Sequence, residues 1–217
     1  AVVACIRLRA ASDDGLSDER CDPTSIIGTG GLTCSNSNPV IRNCRISDNQ
    51  SHSEIATYGG GIVLNNSNAA ISYCKISNNK SGYYGGGINI YNSNPKINGC
   101  NISGNESLTY GGGIYIAGTS GPMIANCTIE VNKSNWEGGG IYCAGGVINF
   151  LECTIGYNES YLSGGGIYSE PDLTLDWATF THNSTGLGSG GGVRTSGALV
   201  ATNSQWSENT SGFVGGA

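Results

Sequence analysis

The stretch GGGINIYNSNPKINGCNISGN, residues 85–105, contains in one copy the pattern that decides the fold. A glycine triplet is followed by apolar residues at alternate positions, Ile88 and Ile90, and then by the corner sequence Asn-Ser-Asn-Pro. Two further isoleucines flank a cysteine, and Asn105 ends the copy. Apolar residues at every second position are typical of a β-strand, and clusters of Gly, Asn, Ser and Pro interrupt any helical pattern. This stretch is therefore predicted to form short strands joined by tight corners.

The same pattern repeats along the chain. Triplets begin at Gly59, Gly85, Gly111, Gly138, Gly164 and Gly190, with spacings of 26, 26, 27, 26 and 26 residues. An earlier copy begins at Thr29, and the extra residues that separate it from Gly59 fall within residues 50–58. Strands this short cannot bury their apolar faces alone, so the copies must stack as coils about 4.8 Å apart. The sequence predicts an all-β fold, a right-handed parallel β-helix (a solenoid) of about seven coils over residues 29–217.

Aligning the copies on their triplets produces inward-facing apolar columns. One column follows the triplet: Leu32, Ile62, Ile88, Ile114, Ile141, Ile167 and Val193. A cysteine column, starting at Cys44, lies three residues after a second apolar column, and this odd spacing requires a bend between two strands. Each coil is therefore predicted to hold roughly three strands. Residues 1–28 do not repeat and are expected to form a leader or an N-terminal cap, and the array is expected to be a segment of a longer one.

The composition excludes several classes of function. The chain has 36 glycines among 217 residues, 12% charged residues and a net charge of −6. Ten dispersed basic residues do not form the clustered patch that nucleic acid requires. No apolar run reaches the length of a transmembrane segment, and no signal-peptide pattern is present. We expect an extracellular or cell-surface location.

The paired motifs resemble a known repeat family. A glycine triplet with Ile, followed later in each copy by Ile-x-x-Asn, resembles the G-G-A-[ILV] and F-x-x-N repeats of the chlamydial polymorphic membrane proteins and related bacterial surface β-helix proteins. The residues that open the second motif here are Ile46, Ile76, Ile102, Ile129, Ile155, Phe180 and Trp206. The resemblance covers residues 29–217 and implies a surface-exposed passenger or adhesin stalk, and the family carries no catalytic residues to transfer.

The most regular polar column is the asparagine that ends this motif. Its members are Asn49, Asn79, Asn105, Asn132, Asn158, Asn183 and Asn209, and each is followed two positions later by Ser or Thr. All seven therefore match the N-glycosylation sequon. Glycans on adjacent coils would collide at about 4.8 Å, so a hydrogen-bonded asparagine ladder is the favoured interpretation. Three isolated sequons, Asn65, Asn101 and Asn126, are the better candidates for glycosylation.

The nine cysteines allow two interpretations. Seven fall in inward columns, where a free cysteine behaves as a small buried hydrophobic residue. Disulfides between stacked partners are the alternative, although parallel side chains make that geometry awkward. Cys5 and Cys21 lie in the non-repeating leader and are the candidates for a disulfide. No cysteine or histidine spacing suggests a metal site.

One outward column is aromatic. Tyr115, Tyr142 and Tyr168 occupy the same position on three successive coils. Stacked, exposed aromatic rings suit the flat face of a sugar or a protein partner. Packing between neighbouring strands, with no ligand, is the alternative interpretation. These three residues are the candidate binding residues.

Catalytic signals are sparse. Glu170, Asp172 and Asp176 form the densest acidic patch in the repeats, and a calcium ion or a catalytic carboxylate pair would need such a cluster. A solvated corner is the competing interpretation. His52 and His182 fall in predicted loops and are interpreted as solvated residues rather than bases.

We expect a non-catalytic extracellular structural or adhesive segment, such as a stalk, a passenger or a subunit of a surface assembly. One alternative is a carbohydrate-active β-helix, a polysaccharide lyase or glycoside hydrolase, with its site in flanking sequence or near residues 170–176. Another is a self-assembling filament subunit. The expected partners are a carbohydrate or protein surface, or like subunits end to end, and no cofactor is expected.

Overall fold

The computed structural model describes residues 30–51 and 58–212. Within these residues the secondary structure is entirely β, and every strand pairs in parallel with strands one coil away. Over the same residues, no helix is long and apolar enough to cross a membrane. The prediction of an all-β, right-handed parallel β-helix with about seven coils is confirmed.

Two of the sheets contain the strands on either side of the first corner. Sheet A holds the strands that follow the glycine triplets: β1 (Leu32–Ser35), β4 (Ile62–Asn65), β8 (Ile88–Tyr91), β12 (Ile114–Ala117), β16 (Ile141–Cys143), β20 (Ile167–Ser169) and β24 (Val193–Thr195). Sheet B holds β2 (Val40–Arg42), β5 (Ala70–Ser72), β9 (Lys96–Asn98), β13 (Met123–Ala125), β17 (Ile148–Leu151), β21 (Leu173–Asp176) and β25 (Leu199–Thr202).

The other two sheets complete each coil. Sheet C holds β3 (Arg45–Ser47), β6 (Lys75–Ser77), β10 (Asn101–Ser103), β14 (Thr128–Glu130), β18 (Thr154–Gly156), β22 (Thr179–Thr181) and β26 (Gln205–Ser207). Sheet D holds β7 (Lys80–Ser81), β11 (Glu106–Ser107), β15 (Lys133–Ser134), β19 (Glu159–Ser160) and β23 (Ser184–Thr185). The sequence predicted roughly three strands per coil, whereas the structure has four sheets. The prediction missed sheet D because its strands are two residues long, too short to show an alternating pattern.

Successive coils lie in exact repeat register, which builds one continuous core. Ile88 pairs with Ile62 on one side and Ile114 on the other, and all three side chains are fully buried. The columns of sheets B and C, which start at Ile41 and Ile46, are buried in the same way up to Leu175 and Phe180, whereas Ala201 and Trp206 in the last coil are not fully buried. Burying an isoleucine contributes about 1.5–3 kcal/mol. The inward columns therefore supply the main driving force for stacking.

The glycine triplets allow the coils to approach closely where sheet D turns into sheet A. A Cβ atom at Gly112 would lie 2.4 Å from the carbonyl oxygens of both Gly139 and Lys133 in the next coil. The first glycine of the same triplet, Gly111, has a φ of +65°, in the left-handed region that favours glycine. Any side chain here would push the backbones apart, so the triplet is a requirement of the stacking.

Corners between strands are made by single residues in the left-handed conformation. The corner between sheets C and D uses Asp48, Asn78, Gly104, Val131, Tyr157, His182 and Glu208. Asparagine and glycine adopt this conformation at low cost, whereas a β-branched side chain is an outlier there. Val131, with a φ of +57°, is therefore the strained member of this column.

Replacing Val131 with asparagine is expected to raise the free energy of unfolding by about 1 kcal/mol, because asparagine lowers the cost of the left-handed corner. The measurement is urea denaturation followed by circular dichroism. Val147→Asn is the matched control, since the two valines are 58% and 57% exposed and only Val131 has a positive φ. Equal effects of the two substitutions would contradict the strain argument.

The cysteine column lines the core between sheets B and C. Its members are Cys44, Cys74, Cys100, Cys127 and Cys153, and all five are free and buried, as is Cys143 of sheet A. Cys34 is disulfide-bonded, which corrects the expectation that it is a free buried residue. A hydrogen bond with Cys127 and burial raise the pKa of Cys100 to about 11, and burial raises the pKa of Cys143 to about 11. These two groups therefore remain protonated thiols at neutral pH.

Candidate functional site

The asparagine column forms a continuous ladder along the stack. Asn132 donates from its backbone N–H (3.0 Å) and from Nδ2 (3.0 Å) to Oδ1 of Asn158, and its Nδ2 also donates to the carbonyl oxygen of Ile102 (2.9 Å). Its own Oδ1 accepts from the backbone N–H and Nδ2 of Asn105, both at 3.0 Å. The same bonds connect the whole series: Asn49, Asn79, Asn105, Asn132, Asn158, Asn183 and Asn209. The members from Asn79 to Asn183 are at most 1% exposed, so their amides are engaged inside the stack and not presented to solvent.

The three isolated sequons differ in their surroundings. Asn65 is exposed at the end of β4. Asn101 is half-buried, and its Nδ2 donates to Glu130 Oε1 at 3.1 Å. Asn126 is exposed at a corner, and its Nδ2 donates to Asn98 Oδ1 at 2.9 Å. Asn65 therefore has the most accessible amide of the three candidates.

The outward tyrosine column of sheet A is a stack of nearly parallel rings. The ring centroids of Tyr115 and Tyr142 are 5.6 Å apart with an interplanar angle of 7°, and those of Tyr142 and Tyr168 are 5.1 Å apart at 3°. All three were expected to be exposed, but Tyr142 is only 7% exposed because neighbouring rings cover it, among them Tyr110 with its ring centroid 4.5 Å away. Tyr115 and Tyr168 are half-buried.

A second tyrosine column lies beside the first. Tyr58, Tyr84 and Tyr110 immediately precede three triplets, and their ring centroids are 5.4 and 5.5 Å apart. The two columns meet where Tyr84 stacks on Tyr115, with ring centroids 4.3 Å apart and an interplanar angle of 6°. We call these six residues the tyrosine face: Tyr58, Tyr84, Tyr110, Tyr115, Tyr142 and Tyr168. Two exposed rings, Tyr83 and Trp136, extend it at its edge.

A groove of about 380 Å³ opens on the N-terminal half of this face. Its lining residues are Tyr58, Val63, Asn65, Tyr84, Asn89, Tyr91, Tyr115 and Ala117. Four of these eight residues are tyrosines, two are apolar, and Asn65 and Asn89 contribute amides. Apolar walls with a few polar groups are typical of sites for small or extended ligands.

Two carboxylates border the other half of the tyrosine face. Tyr142 donates its hydroxyl hydrogen to Glu170 Oε1 at 2.6 Å. Burial, reinforced by the nearby charge of Glu170, raises the pKa of Glu137. Burial also raises the pKa of Tyr110 and Tyr115, and the nearby carboxylates add to the effect. Tyr110 and Tyr115 therefore stay un-ionised phenols at neutral pH, and the carboxyl groups of Glu137 and Glu170 lie beside the face.

The carboxylates of the acidic patch at residues 170–176 are largely occupied by hydrogen bonds between adjacent coils. Asp172 Oδ1 accepts from the backbone N–H of Ala198 at 2.8 Å, and Asp176 Oδ1 accepts from Thr202 Oγ1 at 2.7 Å. Within the described part of the chain, no group of three or more His, Cys, Asp or Glu residues is placed to hold a metal ion. His182 stacks on Tyr157 and pairs with Glu208. These contacts give the patch and the histidine roles in joining coils.

Several predictions fall on residues outside the described ranges. They concern the leader at residues 1–28, the disulfide candidates Cys5 and Cys21, and His52 in the inserted loop. These stay predictions.

Sequence reasoning missed the column of Tyr58, Tyr84 and Tyr110. The signal was present, because these tyrosines repeat at the same 26-residue spacing as the triplets. Their position immediately before the triplet placed them in a presumed corner rather than on a strand. The isolated parallel bridges that join these tyrosines show that the residue before the triplet belongs to the stack.

Comparison with known proteins agrees with this architecture. The family model described as "Right handed beta helix region" matches residues 81–211, more than half of the chain. No curated protein and no solved structure matches the chain. The matching model describes right-handed beta helices in general, and the narrower resemblance to the chlamydial repeats stays a prediction. On the strength of its coils and of this match, the chain belongs to the right-handed beta helix family.

Proposed function

We propose that this chain is a non-catalytic, extracellular structural and adhesive segment that binds carbohydrate through its tyrosine face. The observation that carries the proposal is the groove beside Tyr84, where parallel aromatic rings and two amides line one side of the rod. Aromatic faces offer broad apolar contact to the flat face of a sugar, and amides supply hydrogen bonds to its hydroxyl groups. Rings that repeat once per coil would support an extended ligand lying along the rod.

The coils themselves support a structural role. Over residues 58–212 the connections between strands are short and no long loop is grafted onto the stack. Long loops are the usual means by which a repeat scaffold acquires a catalytic site. The carboxylates of Asp172 and Asp176, the sequence-based candidates for catalysis, accept hydrogen bonds from the next coil. We therefore favour a stalk or passenger over a lyase or hydrolase.

Substituting alanine for Tyr84 is expected to weaken glycan binding at least tenfold, equivalent to about 1.4 kcal/mol. Tyr84 contacts both tyrosine columns, and its loss removes the wall of the groove. The measurement is a glycan array with the intact chain, followed by calorimetry on the glycans that bind. Tyr91→Ala should also weaken binding, and because Tyr91 is 48% exposed its loss should leave the fold intact.

The matched control is Tyr157→Ala, which removes an exposed tyrosine from the corner between sheets C and D. Its affinity for the same glycans should equal that of the parent chain. Equal losses in Tyr157→Ala and Tyr84→Ala, or no binding to any glycan, would overturn the proposal. Release of new reducing ends from a polysaccharide, abolished by Asp176→Asn, would instead establish the enzymatic alternative.

A further inference from the structure

Tyr142 is the buried centre of the tyrosine face. Its ring lies between those of Tyr115 and Tyr168, parallel to both within 7°. Tyr110 covers it from the neighbouring column with its ring centroid 4.5 Å away. A ring held in this way is shielded from other molecules but remains in contact with half-buried rings on three sides. Those rings give an electron a short path to the surface.

The phenol of Tyr142 also has a dedicated proton acceptor. Its Oη donates to Glu170 Oε1 at 2.6 Å, a length typical of a hydrogen bond between a hydroxyl and a carboxylate. This separation is within the range for direct proton transfer. Among the described residues, no other tyrosine hydroxyl donates to a carboxylate. Glu170 itself is exposed, so its carboxyl group is in contact with solvent.

The local charge favours loss of an electron from this ring. Burial raises the pKa of Tyr142, and the hydrogen bond and charge of Glu170 raise it further. Glu137 lies close enough to Glu170 for their charges to interact. None of the ion pairs in the described ranges involves either glutamate. Uncompensated negative charge opposes ionisation of the phenol to a phenolate and stabilises the positive hole left by oxidation.

We propose that Tyr142 and Glu170 form a site of proton-coupled one-electron oxidation. A one-electron oxidant in solution accepts an electron from the Tyr142 ring through the stack, and the phenolic hydrogen passes as a proton to Glu170 Oε1. The products are a neutral tyrosyl radical, a neutral Glu170 carboxyl group and the reduced oxidant. A small one-electron reductant such as ascorbate restores the phenol when its electron reaches Tyr142 and the proton returns from Glu170. This activity is independent of carbohydrate binding.

Burial determines the fate of the radical. Tyrosyl radicals on exposed rings disappear by coupling with one another, which requires ring-to-ring contact between molecules. The 7% exposure of Tyr142 prevents that contact, whereas Tyr157 is 55% exposed. The radical on Tyr142 should therefore outlive those on the exposed tyrosines. A long-lived radical is the signature that distinguishes this site.

The test uses the intact chain with photo-oxidised ruthenium tris(bipyridine) as the oxidant and electron paramagnetic resonance as the readout. The parent chain should give a long-lived tyrosyl signal, and Tyr142→Phe, which keeps the ring and its packing, should lose it. Glu170→Gln should reduce the yield of that signal at least tenfold, because the amide accepts the hydrogen bond but does not take the proton. Ascorbate should remove the signal from the parent chain.

Two matched variants complete the experiment. Tyr157→Phe removes an exposed phenol and Glu152→Gln removes an exposed carboxylate, and both should retain the long-lived signal. Circular dichroism establishes that each variant is folded, and Glu170→Gln tests the site independently because Glu170 is exposed. A long-lived signal that persists in Tyr142→Phe, or an unchanged yield in Glu170→Gln, would overturn the proposal.

Discussion

Alanine in place of Asn132 is expected to lower the free energy of unfolding by about 3–5 kcal/mol. The substitution removes every side-chain hydrogen bond that connects Asn132 to Asn105, Asn158 and Ile102. The backbone N–H and Nδ2 of Asn105 lose an acceptor inside the stack, where water does not replace it. Each buried polar group left without a partner costs about 1–3 kcal/mol. Urea denaturation followed by circular dichroism measures the loss.

Asn49→Ala is the matched control for the ladder. Asn49 is half-buried, and its side chain donates a single described hydrogen bond, to Asn79 Oδ1 at 2.8 Å. Its loss should cost about 1 kcal/mol, the ordinary net contribution of one hydrogen bond. If Asn132→Ala were no more destabilising than Asn49→Ala, the ladder would contribute little beyond the packing of its neighbours.

Placing alanine at Gly112 is expected to lower the free energy of unfolding by at least about 4 kcal/mol. Few kinds of single substitution have so large an effect. The new methyl group would lie 2.4 Å from the carbonyl oxygens of Gly139 and Lys133, and both belong to the backbone of the next coil. Backbone cannot move away as a flexible side chain can. Relief therefore requires the coils to separate, which breaks the neighbouring hydrogen bonds. The same denaturation measurement applies.

Gly121→Ala provides the control for that substitution. Gly121 is exposed, has no positive φ, and a Cβ there would come no closer than 3.2 Å to the side-chain oxygen of Asn94. Its effect should stay within about 0.5 kcal/mol. A small effect at both glycines would mean that the coils tolerate a wider spacing and that the triplet is not a requirement of stacking.

The period, the inward columns and the parallel stacking could all be predicted from the sequence. Ile62, Ile88 and Ile114 recur at a fixed interval, and stacking is the arrangement that buries them all. Tertiary contacts between columns could not be predicted in this way. The contact between Tyr84 and Tyr115 depends on the left-handed turn at Gly85, whose φ is +62°. Without knowledge of the φ angle of the first glycine, the sequence does not show which side of the rod the side chain before a triplet occupies.

The burial of Tyr142 shows the same limit. The alternating pattern correctly placed Tyr142 on the outer side of sheet A, opposite the core. It gave no information on what lies over that outer side, which here is Tyr110. The hydrogen bond from Tyr142 to Glu170 also joins residues on different coils, beyond the reach of any local motif. Periodicity predicts which side of a strand a residue occupies, and the neighbouring column decides its exposure.

The asparagine ladder has a direction. Each bond between its side chains runs from the Nδ2 group of one asparagine to the Oδ1 atom of the next in the C-terminal direction. The same Nδ2 groups also donate to a carbonyl oxygen on the N-terminal side. Amide dipoles aligned head to tail add together, as those of the peptide groups do in an α-helix. The side-chain amides of the ladder therefore add a dipole along the rod, with their Oδ1 atoms directed toward the N-terminal coil. A coil placed at the C-terminal end of the ladder would therefore meet Nδ2 donors, whereas one placed at its N-terminal end would meet an Oδ1 acceptor.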